Sequence, residues 1–136
     1  MSNWIYKGKK IESLEDMPDG AVGFVYEVTY TVENKKYIGK KILEVKRKLP
    51  PLKGKKRVRR VTKESDWKAY YGSNEEIKKL LSEGKEKEFK REILEFAFSK
   101  VQLTYLETRY QFDRRVLERD DYFNSNILGK FYKGKV

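Results

Sequence analysis

One stretch of the chain alternates strictly between two sets of side chains, and this alternation fixes the first element of the fold. Residues 22–32 place an apolar or aromatic side chain at every even position, including Phe24 and Tyr26. A period of two over this length predicts a β-strand. Glu33-Asn34-Lys35 predicts a turn and residues 36–43 predict the returning strand, so the two segments should form an antiparallel hairpin.

Downstream of this hairpin the sequence predicts two helices, a third strand and a last, longer helix. Residues 64–71 are compatible with a short helix. Ser73 is the expected N-cap of the next helix, with Glu76 completing a capping box. Residues 89–98 predict the third strand, and Ser99 is the expected N-cap of the last helix, whose leucines recur at helical spacing.

This order of elements predicts a single α+β domain over residues 1–136, with helices flanking a small, mostly antiparallel sheet of three strands. Residues 1–20 predict an additional hairpin at the N-terminus. No apolar run approaches the roughly 20 residues that span a bilayer, and the start lacks the apolar core of a signal peptide. The absence of cysteine excludes disulfides and thiolate zinc sites. We therefore expect a cytoplasmic protein that does not contact a membrane.

The net charge of +11 is concentrated in one basic insert, residues 46–63, which holds ten basic side chains and no acidic one. Such a stretch repels itself and suits a polyanion. Pro50-Pro51 excludes a continuous helix, so we predict a flexible loop that contacts phosphates, with an edge strand or an arm along DNA as the alternative for residues 55–63. The candidate nucleic-acid-binding residues are Lys40, Arg47, Lys55, Lys56, Arg57, Arg59, Arg60 and Lys63.

The chain contains no histidine, so proton transfer near neutral pH must fall to tyrosine, lysine or a carboxylate. Gly23-Phe24-Val25-Tyr26 and Tyr37-Ile38-Gly39 lie on the two strands of the hairpin. Together with Glu107 on the last helix and Asn124 near the end, they resemble the motifs of the GIY-YIG nuclease family. The segment 67–74 is similar to a pattern common among phage-encoded members of that family.

The resemblance implies a phage-type, free-standing, metal-dependent endonuclease that hydrolyses phosphodiester bonds in DNA, acting in the cytoplasm of a host cell. It implies that Tyr26 is the general base, alone or with Tyr37. It further implies that Glu107 binds one Mg²⁺ or Mn²⁺ ion. Asn124 would hold the frame of the active site or contact the phosphate.

The sequence departs from the family pattern in two places. Phe24 stands where the first motif has a glycine. The basic insert displaces the family's catalytic arginine, for which Lys41 and Lys68 are the best replacements, with Lys40 or an arginine of the insert as alternatives. If residues 64–71 form the helix, Tyr70 lies near a position often held by histidine in the family.

Two other functions fit the same composition. One is a catalytically inactive DNA-binding protein with the nuclease fold, and the other is a basic RNA-binding protein with both tyrosines in its core. If the chain is a nuclease, its choice of site would have to come from the insert, from self-association or from a protein partner.

Overall fold

The chain folds as a mixed five-stranded sheet with one helix on each face, described over residues 2–136 in a computed structural model. The strands are β1 Trp4–Tyr6, β2 Lys9–Ile11, β3 Gly23–Tyr30, β4 Lys35–Ile42, β5 Glu44–Leu49, β6 Arg59–Glu64, β7 Phe89–Ala97, β8 Asn126–Ile127 and β9 Phe131–Tyr132. The helices are α1 Glu75–Ser82 and α2 Lys100–Asp113. The predicted α+β class is therefore confirmed.

The sheet has the order β2-β1-β7-β3-β4, and its centre is the predicted hairpin. β3 and β4 are antiparallel from Gly23↔Ile42 to Tyr30↔Lys35, and β7 runs antiparallel along the other side of β3. The predicted N-terminal hairpin forms as β1 and β2. Because β1 pairs in parallel with β7, the hairpin joins the sheet, which therefore has five strands and not the predicted three.

The alternation in β3 buries both faces of the sheet. Its even positions, among them Phe24 and Tyr26, join a largely aromatic core under α1. Its odd position Val25 joins Ile38 and Leu106 in a second core under α2. A strand covered on both faces needs apolar residues in both sets, and β3 has them over its first half.

The prediction of a flexible loop within the basic insert, over residues 46–62, is wrong for residues 46–49 and 59–62, which lie in strands. β5 and β6 form an antiparallel ribbon, and only residues 50–58 between them lie outside strands. A run of like charges can form strands here because alternation directs neighbouring charged side chains of one strand to opposite faces of the ribbon. The alternative of a strand within residues 55–63 is confirmed by β6.

The predicted helix over residues 64–71 does not form. β6 continues to Glu64, and Ser65 then bonds to the end of β4 through its Oγ, 2.6 Å from the carbonyl oxygen of Ile42. Only the single 3₁₀ turn Trp67–Ala69 remains, because burial of Trp67 in the aromatic core draws this segment against the sheet.

The N-cap of α1 is Asn74, not Ser73. The Oδ1 atom of Asn74 accepts from the backbone N–H groups of Glu76 and Ile77, the usual bonds of an N-cap. The third strand and the Ser99 cap of α2 are confirmed, since Ser99 Oγ accepts from Gln102 N–H. Among residues 2–136 no helix is long and apolar enough to cross a membrane.

Candidate active site

The site is built along the outer edge of β4, where no further strand of the sheet pairs. Backbone groups at such an edge need other partners. The C-terminal segment supplies the first of them. Lys36 N–H donates to the carbonyl oxygen of Asp121 at 2.9 Å, and Phe123 N–H donates to the carbonyl oxygen of Lys36 at 2.6 Å. The tail therefore lies along β4 like a short parallel strand.

Asn124 continues this pairing with its side chain. Its Oδ1 accepts from Ile38 N–H at 3.1 Å and its Nδ2 donates to the carbonyl oxygen of Ile38 at 2.8 Å. Gln111 Nε2 donates to the same carbonyl oxygen. The Asn124 amide thus replaces a peptide group of the missing strand. The Asn124 side chain is only 2 % exposed.

Glu107 takes the next position along the edge. α2 presents its carboxylate to the backbone N–H of Lys40 on β4, and that hydrogen bond and the Lys40 ammonium favour the charged form. Burial is the largest effect, however, and it raises the pKa of the Glu107 carboxyl above its ordinary value. The Lys40 ammonium itself donates to Thr104 Oγ1 at 2.8 Å.

These residues line one open cavity of about 620 Å³. Tyr37, Lys40, Glu107 and Asn124, all predicted from the sequence, lie around it together with the N-terminus of α1. Ser73, whose predicted capping role passes to Asn74, instead shares a 3.3 Å hydrogen bond with the Tyr37 hydroxyl. Parts of the chain that are distant in sequence therefore converge on one site.

Tyr26 lies behind Tyr37, and Gly39 allows both to approach the strand. A Cβ at Gly39 would lie 2.4 Å from the Tyr26 hydroxyl oxygen, so only glycine fits there. The Tyr26 and Tyr37 rings are 6.3 Å apart, and the Tyr70 ring lies 6.0 Å from that of Tyr26. Burial, and then the neighbouring phenols, raise the pKa of Tyr26 well above its ordinary value.

Comparison with known proteins agrees with this geometry. Residues 4–127 match the model of the family described as "Putative endonuclease segE, GIY-YIG domain". The chain belongs to the GIY-YIG nuclease family. Neither the curated proteins nor the solved structures gave a match. Membership in this family makes the chain a domain of the nuclease class.

Two of the predicted cations of this GIY-YIG domain lie outside the cavity. Lys41 is on the opposite face of β4 from Lys40, where its Nζ lies 2.6 Å from Asp66 and 4.0 Å above the Tyr70 ring. Lys68 lines a separate depression near the N-terminus. The structure therefore places Lys40 at the cavity and the other two lysines elsewhere.

The predicted nucleic-acid-binding residues of the GIY-YIG domain divide between two places. Lys40 is at the cavity, whereas the others lie on β5, on β6 or in the loop that joins them, and all of them are exposed. Those others are Arg47, Lys55, Lys56, Arg57, Arg59, Arg60 and Lys63.

Arg91 of β7 is a residue that the sequence reasoning missed. It is buried between the rings of Trp4 and Tyr71, and it donates to the carbonyl oxygens of Ser2, Lys68 and Tyr70. It thereby fixes the segment that carries Tyr70. The sequence does contain a signal for it: Arg91 occupies the same alternate positions of the strand as the buried Phe89 and Ile93.

The donor atoms of the cavity suit a hard cation. Within residues 2–136 no three acidic side chains are grouped to hold a metal ion by themselves. Glu107 supplies one carboxylate, and the cavity lining also includes the hydroxyls of Tyr37 and Ser73 and the carboxylates of Glu75 and Glu76 at the start of α1. Oxygen ligands are those that Mg²⁺ takes, and Mg²⁺ usually keeps several waters and binds through one or two carboxylates plus substrate phosphates. The residues of this GIY-YIG domain therefore fit a single divalent ion of that kind.

Proposed function

We propose that the protein is an endonuclease that hydrolyses phosphodiester bonds in DNA with one divalent ion, Mg²⁺ or Mn²⁺, held by Glu107. The observation that carries this proposal is the convergence of Tyr37, Lys40, Glu107 and Asn124 on one cavity of a GIY-YIG domain.

Glu107 is the residue suited to hold the ion. Burial raises the pKa of its carboxyl, and Lys40 opposes that effect. A cation beside a carboxylate favours the ionised form, so ion binding would reverse the effect of burial. When bound, the ion supplies charge neutralisation for the phosphate and acidifies a bound water.

The two tyrosines take different positions in this proposal. Tyr37 faces the cavity, so its hydroxyl can orient a water or a phosphate oxygen there. Tyr26 lies behind it and is almost completely buried. Burial also raises the pKa of Tyr37, although its bond to Ser73 opposes the shift. Both phenols are therefore neutral near neutral pH, and either could act as a base only as its phenolate, after giving its own proton to solvent. Positive charge nearby would favour that form.

Lys40 is our proposed source of positive charge for the phosphate. Its side chain is exposed at the cavity, and its ammonium is held by Thr104. Lys41 is instead suited to a supporting role, because its ion pair with Asp66 and its contact with the Tyr70 ring fix it against the tyrosine cluster.

A supercoiled-plasmid nicking assay tests the proposal. Wild-type protein should convert supercoiled plasmid to nicked or linear form with Mg²⁺ or Mn²⁺, and EDTA should stop the reaction. Glu107→Ala should lose cleavage by about 10³-fold or more, since loss of one electrostatic contact to the reacting group typically costs 10²–10³ and the metal site is lost with it. DNA binding in EDTA should change little.

The matched control is Glu118→Ala, which removes an exposed carboxylate just after α2 and outside the cavity. It should cleave like wild type. Wild-type protein that binds DNA but never nicks it with either ion would reject the enzyme and favour an inactive DNA-binding protein. Equal affinity for RNA together with indifference to Tyr26→Phe would favour the RNA-binding alternative.

A further inference from the structure

The basic insert forms a two-stranded ribbon that stands away from the sheet. β5 and β6 pair from Glu44↔Glu64 at the base to Leu49↔Arg59 near the tip. Every residue of the two strands except Leu49 is exposed. The base is fixed to the body by a 2.7 Å hydrogen bond from Ser65 N–H to the carbonyl oxygen of Leu43. We call β5, β6 and residues 50–58 the ribbon.

Alternation gives the ribbon two different faces. The polar face has only charged or hydroxyl side chains, whereas the mixed face combines basic and apolar ones. The polar face comprises Glu44, Lys46, Lys48, Arg60, Thr62 and Glu64, and the mixed face comprises Val45, Arg47, Leu49, Arg59, Val61 and Lys63. Lys48 and Arg60 lie directly opposite each other, and such like-charge pairs destabilise a sheet in water. A polyanion on the outer part of the polar face would remove that repulsion, whereas the acidic pair Glu44↔Glu64 keeps a polyanion away from its base.

The polar face points to the same side of the molecule as the cavity. Glu44, Lys46 and Thr62 line a separate depression together with Ile42. Ile42 and Lys40 lie on the same face of β4, by alternation. From Lys40 to Glu44 the chain covers about 13 Å, and the ribbon adds about 20 Å. This contour length is close to one turn of B-form DNA, about 34 Å.

We propose that the ribbon enters the major groove of a B-form DNA duplex with its polar face, while the adjacent backbone lies at the cavity. The major groove, about 12 Å wide, admits a two-stranded β-ribbon without deforming the duplex, whereas the minor groove is only about 6 Å wide and proteins that enter it frequently kink the DNA. The major groove of A-form RNA is too narrow and deep for side chains to read. The inference rests on the proposed DNA substrate, and it adds the form of the duplex and the groove.

Dimethyl sulfate footprinting tests the groove directly. The reagent methylates guanine N7 in the major groove and adenine N3 in the minor groove, so one reaction reports both. Wild-type protein in EDTA, which prevents metal-dependent cleavage, should protect guanines of a short mixed-sequence duplex and leave adenines reactive. The RNA duplex of the same sequence should compete about tenfold or more less well than the DNA duplex, the scale of lost base-edge contacts.

Two triple variants with equal loss of charge test which face is used. Lys46→Gln with Lys48→Gln and Arg60→Gln should abolish guanine protection and weaken binding about tenfold or more. Arg47→Gln with Arg59→Gln and Lys63→Gln should keep the protection, while the slope of log K against log salt becomes shallower by at most about 2.7, or 0.9 per phosphate contact.

A truncated chain tests the contribution of the whole ribbon, since it removes both faces. Val45 and Lys63 are cross-strand partners, so a two-residue Asn-Gly turn can join them and replace residues 46–62. The truncated protein should fold, because the hydrogen bond between Leu43 and Ser65 at the foot of the ribbon remains. It should no longer protect guanines.

Several results would overturn the inference: protection of adenines alone, guanine protection that persists without the polar face, equal competition by RNA, or no binding to duplex DNA. Because these measurements are made in EDTA, their outcome is separate from that of the nicking assay. A protein that nicks DNA without protecting guanines would support the proposed function and reject the placement of the ribbon in the major groove. A protein that protects guanines but never nicks DNA would support that placement and reject the nuclease activity.

Discussion

Gly39→Ala adds one methyl group at the most crowded point of the site. The new Cβ would lie 2.4 Å from the Tyr26 hydroxyl oxygen, 2.7 Å from Tyr26 Cζ and 2.9 Å from Tyr37 Cε2. Ordinary contact begins near 3.4 Å, so the Tyr26 phenol must move by about 1 Å. The substitution therefore tests whether the placement of the two tyrosines matters.

The surroundings of Tyr26 leave it little room to move. Its side chain is 1 % exposed, and its ring packs against those of Trp4, Tyr37 and Tyr70 at 5.3–6.3 Å. Overpacking of this kind costs about 1–3 kcal/mol of unfolding free energy. Intrinsic strand preference alone would make Gly39→Ala stabilising, since a glycine inside a strand lowers stability by about 0.5–1 kcal/mol relative to alanine. A displacement near 1 Å should also slow cleavage about 10²-fold.

Thermal unfolding and plasmid nicking measure the two effects. Gly84→Ala is the control, because nothing lies within 4 Å of its added Cβ and its positive φ of +80° confines the cost to the backbone. It should lower Tm slightly and leave the cleavage rate unchanged. Gly39→Ala combined with Tyr26→Phe, which deletes the nearest atom, should be more stable than the two single effects predict. Gly39→Ala with wild-type Tm and rate would refute the reasoning.

Three further predictions concern the frame of the site. Asn124→Ala leaves the buried Ile38 N–H without its partner, so denaturant unfolding should show a loss of about 1–3 kcal/mol. Glu107→Gln should raise Tm at neutral pH in EDTA. Burial raises the pKa of Glu107, so its ionisation destabilises the fold as pH rises between the ordinary and the raised value. The gain should vanish on acidification below the ordinary glutamate pKa, and an equal gain at all pH values would contradict it. Arg91→Met removes the donor to three carbonyl oxygens, including that of Tyr70, and should cost about 3 kcal/mol or more. An unchanged midpoint in Arg91→Met or Asn124→Ala would reject the assigned contacts.

The parts of the fold that the sequence predicted depend on local signals. The period of two in β3 and the turn at Asn34 are properties of neighbouring residues, and Asn34 has the positive φ that its type tolerates. The cap of α2 by Ser99 depends on residues three apart. Glu107 and Asn124 were predicted as site residues from the family resemblance, and both line the cavity.

The predictions that were wrong or missing concern residues whose positions depend on contacts between distant parts of the chain. Trp67 is drawn out of a helical pattern because the aromatic core receives it, and nothing near it in sequence indicates that core. The different positions of Lys40 and Lys41 depend on which face of β4 is covered by α2. Arg91 is stabilised by backbone carbonyls from two separate segments. Such partners are visible only after folding.

One strand, β4, connects every part of the proposed function. Its alternation directs Tyr37 and Lys41 to the tyrosine cluster and Ile38 and Lys40 to the side covered by α2. Its outer edge is paired by the tail, by Asn124 and by Glu107, and its end leads into the ribbon. A register slip of one residue would exchange these two sets, so that an isoleucine would replace Tyr37 beside Tyr26 and Lys41 would replace Lys40 at the cavity. The tail contacts at Lys36 and Ile38 fix the register of β4, and they therefore protect the site as well as the fold.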